Sequence, residues 1–125
     1  MLATAVAKKR ALHRRRRLRI RKHIVGTAAR PRLCICRSLR HLTAQFIDDA
    51  AGRTLAHVTT DSKSFRESGK KSFRSTDSAK KIGEQIGKMA KDQGITACVF
   101  DRSGNRYHGV IKAFAEAVRA QGVKF

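Results

Sequence analysis

The sequence has 125 residues, the length of one ordinary domain, and its 41% hydrophobic content can build a core, which excludes wholesale disorder. Lys and Arg number 29 against nine Asp and Glu, so the formal net charge is +20, and the commonest reason for such an excess is a polyanionic partner, above all nucleic acid. No stretch approaches the roughly 18 apolar residues of a membrane span, and three cysteines do not make a disulfide-stapled secreted domain.

Residues 1–30 are predicted to form a basic RNA-binding arm. No acidic residue occurs before Asp48, and that stretch holds fourteen of the Lys and Arg residues. Because like charges at this density repel, we expect the arm to be disordered, or a fraying helix, until phosphates supply the counter-charge. An Arg-rich, acid-free N terminus is also typical of a mitochondrial transit peptide or of a solvated tail, but the preference for Arg over Lys favours bidentate phosphate contacts.

Pro31 pushes the residue before it into extended geometry, which ends the arm. Residues 31–125 are then predicted to form a single domain. The segment Leu33–Cys36 is apolar on both faces, which predicts a central strand. Residues 42–47 alternate as a second strand, and a polar turn separates them from a third strand over 54–60. Three strands joined by short turns form an antiparallel meander.

Residues 61–75 are predicted to be a mobile loop. Five of them are serine, and Lys-Ser-Phe-Arg occurs twice, at 63–66 and 71–74. The two phenylalanines beside basic residues are compatible with base stacking, although flexible surface is the commoner role of such a loop.

A helix follows, with an N-cap at one of residues 76–78 and Gly94 as its C-terminal cap. Its apolar stripe at helical spacing consists of Ala79, Ile82, Ile86, Met89 and Ala90. Gly83 and Gly87 lie one turn apart inside this helix, where each costs nearly 1 kcal/mol relative to alanine. Close packing of the helix against the sheet would explain both glycines.

Residues 95–100 are apolar and predict a fourth strand, parallel to its neighbour because a helix connects it to the meander. A second helix closed by Gly122 is marked by Val110, Ala113, Phe114, Ala117 and Val118. The order β-β-β-α-β-α predicts a mixed sheet with helices packed against it, of the α/β or α+β class.

The loop at 100–109, FDRSGNRYHG, lies between a strand end and a helix start, where open α/β sheets place ligand sites. Arg102 and Arg106 suit phosphates, and Tyr107 and His108 suit base stacking or contact with a 2′-hydroxyl. The start of the following helix also favours phosphate. We therefore predict an RNA contact here.

Catalysis is not expected. Asp101 and His108 are a conceivable acid–base pair, but a two-metal nuclease needs several convergent carboxylates and the first strand supplies none. The nearest other acids, Asp48 and Asp49, lie past the second strand. A basic nuclease on a ribonuclease H-like scaffold is the alternative function, and it rests on fold analogy alone.

Cys34 and Cys36 lie two apart on a strand and therefore point to one face, whereas Cys98 belongs to another strand. They are a weak zinc signal and are better explained as buried reduced thiols, which indicates a cytosol-like compartment. The histidines lack metal-ligand spacing, so neither a metal nor a cofactor is expected.

Several stretches together resemble the bacterial large-subunit ribosomal protein eighteen family, in order and from about residue 8 to the end. They are Gly26–Leu33, Arg37 with Ser38, His41–Gln45, Ile47–Asp49, Gly52–Ala56, Phe100–Ala113 and Gly122–Phe125. The sequence departs from the family pattern at Thr43, where an aromatic is usual, and at Ser103 and Asn105, where a second glycine and an aromatic are usual.

The resemblance implies a ribonuclease H-like fold without catalysis and a monomer in the large subunit of a cytoplasmic ribosome. Its implied partners are 5S rRNA, 23S rRNA at the central protuberance, and large-subunit ribosomal protein five. Carried over by position, the RNA-binding residues are Arg14, Arg15, Arg16, Arg17, Arg19, Arg21, Lys22, Arg30, Arg32, Arg37, Arg40, His41, Gln45, Arg102, Arg106, Tyr107, His108 and Lys112.

Overall fold

The computed structural model describes residues 2–61 and 75–125, so the predicted mobile loop at 61–75 lies almost wholly outside the described residues. Within these residues the chain forms three helices and one four-stranded sheet. The helices are α1 (Leu2–Arg21), α2 (Thr76–Asp92) and α3 (Val110–Ala120). The strands are β1 (Arg32–Arg37), β2 (Leu42–Asp48), β3 (Arg53–Thr59) and β4 (Val99–Asp101).

The sheet has the strand order β3-β2-β1-β4. β1 pairs antiparallel with β2, and β2 pairs antiparallel with β3, which confirms the predicted meander. β4 runs parallel to β1, with Asp101 opposite Cys34. Because parallel strands end at the same edge of a sheet, the loop after β4 leaves the sheet at the edge where the β1–β2 turn lies. The predicted mixed α/β class is confirmed.

The two faces of the sheet differ in chemistry. In β2 the residues Leu42, Ala44 and Phe46 are fully buried, whereas the alternate residues Thr43 and Gln45 are partly exposed. The buried face packs against α2 and α3 in a core that includes Leu33, Ile35, Ile82, Ile86, Phe114 and Val118. The opposite face, called here the outer face, is polar and is not covered by these two helices.

The ends of α2 and α3 follow from their capping residues. The N-cap of α2 is Ser75, one residue before the predicted range, and its hydroxyl accepts a hydrogen bond from the Ser78 amide at 3.4 Å. Gly94 and Gly122 have φ angles of 74° and 97°, just past the ends of α2 and α3. Both glycines therefore take the left-handed conformation that ends a helix, as predicted.

The glycines inside α2 face another helix, so the prediction that they contact the sheet is wrong. A Cβ atom at Gly83 would lie 2.7 Å from the Cβ of Ala117 and 2.9 Å from the carbonyl oxygen of Phe114, both in α3. At Gly87 the nearest atoms belong to Gln121. The two helices therefore approach each other closely at these two glycines.

β4 is also shorter than predicted, because before it only Ala97 pairs, in an isolated bridge to Lys124.

The arm forms α1 over Leu2–Arg21, so of the two states expected for it, disordered chain and fraying helix, the structure has the helical one. Ala, Leu, Arg and Lys are all strong helix formers, and this segment contains neither Gly nor Pro. Its last turn is also attached to the domain, since Arg21 pairs with Asp101 at 3.3 Å. None of the described helices combines the length and apolar character that crossing a membrane requires.

Candidate RNA interface

A buried carboxylate joins the arm, the sheet and the loop after β4. Asp101 is fully buried, and its Oδ2 accepts hydrogen bonds from Arg32 Nη1 at 2.8 Å and from Arg21 Nε at 3.3 Å. Its Oδ1 accepts the backbone amide of Ser103 at 2.8 Å. All these bonds are internal, so Asp101 fixes the start of the loop and is not an exposed acid.

Arg32 is buried as well, although the sequence predicts it as an RNA contact. Besides Asp101, it makes a bidentate pair with Asp49, through Nε at 3.0 Å and Nη2 at 3.1 Å. Burial lowers the pKa of Arg32, but the hydrogen bonds to Asp49 and Asp101 outweigh this effect and raise it. With 10% of its side chain exposed, Arg32 is a structural residue whose guanidinium is occupied by carboxylates.

The loop after β4 turns sharply beneath the arm. Ser103 has a φ of 53° and Gly104 a φ of 79°, and the side chain of Asn105 donates to the carbonyl of Arg102 at 2.9 Å. A Cβ at Gly104 would lie 3.2 Å from Cγ of Arg17, so the missing side chain lets the helix rest on the loop. Ser103 and Asn105 therefore hold a defined turn where the family pattern has other residues.

Four arginines from the arm and the loop line one open cavity of about 320 Å³. Arg16 and Arg19 come from α1, and Arg102 and Arg106 come from the loop; Ile20, Gly104 and Asn105 complete the lining. No acidic side chain is among the described residues that line it. The structure thus brings together two basic segments that lie more than 80 residues apart in the sequence.

The rest of the predicted arm contacts lie outside this cavity. Arg14, Arg15 and Lys22 are exposed to solvent. Arg17 and Arg21 are half-buried against the domain, and Nε of Arg17 is buried without a hydrogen-bond partner among the described residues. The arm therefore presents most of its charge outward, while Arg17 lies against Gly104 of the loop and Arg21 pairs with Asp101 at the end of β4.

A second open cavity, of about 420 Å³, shares Arg102 with the first. Arg30 and Arg102 line it together with Tyr107, Arg119 and Phe125. Arg119 stacks over the Phe125 ring at 4.5 Å and donates from Nη1 to the Tyr107 hydroxyl at 3.2 Å. Arg119 is not among the residues predicted from the sequence, because an arginine on the polar side of a helix carries no signal of its own.

The other predicted loop residues are open to solvent. Arg106, Tyr107 and His108 are exposed, and so is Lys112 in the first turn of α3. Tyr107 keeps 38% of its surface accessible, so it is not packed into the core near Ile111 and Phe114. Flat and positively charged side chains are thus presented together at the start of a helix.

The predicted sheet contacts lie on the outer face and on the adjacent turn. Gln45 is partly exposed on β2, and Arg37 and Arg40 are exposed around the β1–β2 turn. The ring of His41 is hydrogen-bonded at Nδ1 to Thr60 Oγ1 at 3.0 Å, which fixes its orientation. Thr43, at the position where an aromatic is usual, donates to Thr59 on the neighbouring strand at 3.3 Å.

The described residues contain no group of three or more His, Cys, Asp or Glu side chains arranged to hold a metal ion. Two of the carboxylates considered as catalytic candidates have structural roles. Asp48 Oδ1 accepts the amides of Ala50 and Ala51 at 3.1 and 3.2 Å, and Asp49 is held by Arg32. The geometry therefore presents a basic surface and not a carboxylate cluster.

The family model for ribosomal protein L18 of archaea, bacteria, mitochondria and chloroplasts matches residues 7–125. The large ribosomal subunit protein uL18 of Petrotoga mobilis is 47% identical over 117 residues, which cover 94% of this chain and 95% of the relative. The protein of the same name from Bifidobacterium animalis subsp. lactis is 51% identical over 116 residues, 92% of this chain and 91% of the relative. The chain therefore belongs to the L18 family of large-subunit ribosomal proteins, which are structural proteins and not enzymes.

Proposed function

We propose that this protein binds 5S rRNA in the large ribosomal subunit and helps to attach it to 23S rRNA at the central protuberance, beside large-subunit ribosomal protein five. Membership of the L18 family supports a place in the large subunit and a partnership with rRNA. The identity of the RNA and the surface that holds it are the further steps of the proposal.

The observation that carries the proposal is the convergence of Arg16, Arg19, Arg102 and Arg106 on one cavity without an acidic lining residue among those described. Four guanidinium groups at close quarters repel one another unless an anion lies between them. Phosphates of an RNA backbone supply that charge, and Arg binds them in bidentate geometry. We therefore assign the arm and the loop to phosphate contacts.

Recognition of a particular RNA needs contacts besides phosphate. The exposed rings of Tyr107 and His108 can stack on unpaired bases, and the neighbouring Lys112 adds charge at a helix start. Five further residues of the proposed interface are Arg30, Arg37, Arg40, His41 and Gln45. Arg32 is omitted from it, because its guanidinium already pairs with two carboxylates.

The alternative of a nuclease gains no support from the described residues. Asp101, Asp48 and Asp49 are each held by internal hydrogen bonds. A hydrolytic mechanism with metal ions needs carboxylates that converge on a shared open site. We therefore place this protein among RNA-binding structural components.

A titration of the full-length protein with 5S RNA against a transfer RNA competitor, at several salt concentrations, tests the proposal. We expect preferential binding of 5S RNA. The variant Arg14→Ala/Arg15→Ala/Arg16→Ala should bind more weakly and flatten the plot of log affinity against log salt by about 0.7–0.9 for each phosphate that it no longer neutralises.

The matched control removes three exposed lysines of α2, in Lys80→Ala/Lys81→Ala/Lys88→Ala. This helix covers the sheet face opposite the outer face, so the same loss of net charge should change the salt dependence less. Equal affinity for 5S RNA and transfer RNA, or equal effects of the two triple variants, would count against the proposal.

A further inference from the structure

Two thiols and a hydroxyl meet on the outer face of the sheet, where β1 faces the loop. The Sγ atoms of Cys34 and Cys36 are 3.9 Å apart. Ser103 Oγ lies 3.0 Å from Sγ of Cys34 and 3.8 Å from Sγ of Cys36. Cys34 is buried, but Cys36 is partly exposed, so the prediction of uniformly buried thiols does not hold for Cys36. The pair combines an accessible sulfur with a protected one.

The surroundings of Cys36 stabilise its thiolate. A hydrogen bond from Cys34 is the largest cause that lowers the pKa of Cys36, and the hydroxyl of Ser103 and the charges of Arg17 and Arg21 add to it. These effects outweigh burial, and the pKa is about 6. The same hydrogen bond, together with burial, raises the pKa of Cys34, so Cys36 is the sulfur of the pair that ionises first.

The remaining cysteine provides an internal comparison. Cys98 is fully buried, and burial raises its pKa to about 12. Since the thiolate is the form that reacts with oxidants, Cys98 should be inert under conditions in which Cys36 reacts.

We propose that Cys34 and Cys36 form a peroxide-sensitive dithiol, in which Cys36 is oxidised first and Cys34 then closes an intramolecular disulfide. This proposal is independent of which RNA the protein binds. The site lies against Ser103, and therefore directly beside the loop that carries Arg102 and Arg106.

The reaction balances with hydrogen peroxide as the oxidant. The Cys36 thiolate attacks one peroxide oxygen, so an S–O bond forms, the O–O bond breaks and hydroxide leaves to become water with a proton from solvent. Cys36 is then a sulfenic acid. The sulfur of Cys34 attacks it, so an S–S bond forms and the S–O bond breaks. The departing hydroxide takes the Cys34 proton and leaves as a second water. The two sulfurs lose two electrons and the peroxide gains them.

Geometry makes this pair suitable for a reversible disulfide. Two residues along a strand advance about 6.6 Å, and disulfides span Cα separations of about 4.4–6.8 Å. The bond can therefore close with a small local adjustment, at the strained end of the range, where disulfides are readily reduced. A zinc site is a poorer explanation, because zinc takes four ligands and the described residues place only two thiols here.

The experiment treats the full-length protein with hydrogen peroxide at neutral pH, quenches it, unfolds it and counts free thiols. We expect the wild type to fall from three thiols to one, and a dithiol reductant to restore all three. Trypsin cuts after Arg32 and Arg37, so one peptide, residues 33–37, carries both cysteines. The mass of this peptide should fall by that of two hydrogen atoms on oxidation, and this measurement requires no variant.

Single variants assign the roles, with circular dichroism as the check on folding. Cys98→Ser is the matched control and should lose both of its thiols at the wild-type rate. Cys34→Ser should stop at a sulfenic acid on Cys36 that a dimedone-type reagent captures. Cys36→Ser should keep both of its thiols over the same time.

Three results would overturn the proposal. The first is wild-type protein that retains three thiols under conditions that oxidise glutathione. The second is oxidised protein in which the disulfide joins two chains. The third is oxidation of Cys98 at the same rate as Cys36.

Discussion

At the scale of single residues, two acidic side chains of this basic protein, Asp49 and Asp101, hold its own arginines. Asp49 accepts two hydrogen bonds from Arg32 and one, at 2.7 Å, from the backbone amide of Gly26. The hydrogen bond from Arg32 is the main reason that the pKa of Asp49 is lowered from its ordinary value of 3.8. The carboxylate therefore ties the segment before β1 to the turn after β2.

This shift predicts a pH dependence. A lowered folded-state pKa means that the unfolded chain binds the proton more tightly, so the contribution of Asp49 is fully present above pH 3.8 and is lost as the pH falls through the folded-state value. Urea unfolding across acidic pH should therefore show a smaller loss of stability on acidification in Asp49→Asn than in the wild type. Parallel pH profiles for the two proteins would contradict this role.

Substitution of Tyr107 distinguishes a role in RNA recognition from a role in packing. Tyr107 is exposed, and among the described residues its hydroxyl accepts a hydrogen bond from Arg119. We expect Tyr107→Ala to reduce discrimination for 5S RNA over transfer RNA by about 1–3 kcal/mol, the range of one stacking contact, with little change in Tm. Tyr107→Phe is the matched control, since it keeps the ring and should keep the discrimination.

His108→Ala should act in the same direction as Tyr107→Ala, because its ring is also exposed. Arg102→Ala should instead weaken binding to most RNAs and reduce the salt slope by about one contact. A Tyr107→Ala protein with a depressed Tm and unchanged RNA discrimination would show that this tyrosine acts in packing alone.

At the scale of elements, the contact between α2 and α3 depends on glycine. A glycine inside an exposed helix costs about 1 kcal/mol relative to alanine, so replacement by alanine normally stabilises the protein. Gly83 is different, because the new Cβ would meet the backbone of Phe114 and the Cβ of Ala117, neither of which can rotate away. The close approach of the two helices explains why this position carries no side chain.

Gly83→Ala should therefore destabilise the protein by about 1–3 kcal/mol, the usual cost of overpacking, as measured by urea unfolding. Gly87→Ala is the comparison. Its Cβ would lie 2.6 Å from Cγ and 2.7 Å from Cβ of Gln121, the C-cap residue of α3, but 3.7 Å from the nearest backbone atom of α3, the carbonyl oxygen of Val118, so the destabilisation should be smaller. Equal stability of wild type and Gly83→Ala would show that the helices separate without cost.

At the scale of the whole molecule, the densest basic segment and the hydrophobic core lie in different parts of the sequence. Residues 1–24 hold ten of the 29 basic residues, whereas the hydrophobic core begins at Leu33. The arm contacts the domain mainly through Arg21, which pairs with Asp101, and through Arg17, which lies against Gly104. Asp101 keeps its ion pair with Arg32 when Arg21 is removed. The arm is thus a basic extension of a domain whose described core contains no residue of the arm.

Deletion of residues 1–24 should therefore leave a folded domain with a modest decrease in stability. Its affinity for RNA should fall strongly at low salt and much less at high salt, because the contacts that we propose for the arm are mostly with phosphate. Circular dichroism melts and RNA titrations on the same preparation measure both effects. Cooperative unfolding that disappears on truncation would make the arm structural.

The sequence by itself determined the elements whose signal is local and periodic. Alternation in β2, the apolar stripe of α2 and the glycines after α2 and α3 predicted those elements, because burial on one face imposes a period on the residues that form it. The antiparallel meander and the parallel β4 followed from connection lengths. The charge imbalance indicated a polyanionic partner, because net charge depends on composition and not on how the chain folds.

The tertiary structure decided which residues meet. Arg32 and Asp101 are 69 positions apart, and no pattern in the sequence distinguishes a buried arginine from one that faces RNA. The same holds for Gly83 against α3 and for Ser103 against the two thiols. Helix propensity outweighed charge repulsion in α1, and Arg21 in its last turn pairs with Asp101 of β4. Which residues contact each other across the fold depends on the packing of distant segments, whereas the hydrophobic period of a helix or strand depends on residues close in the sequence.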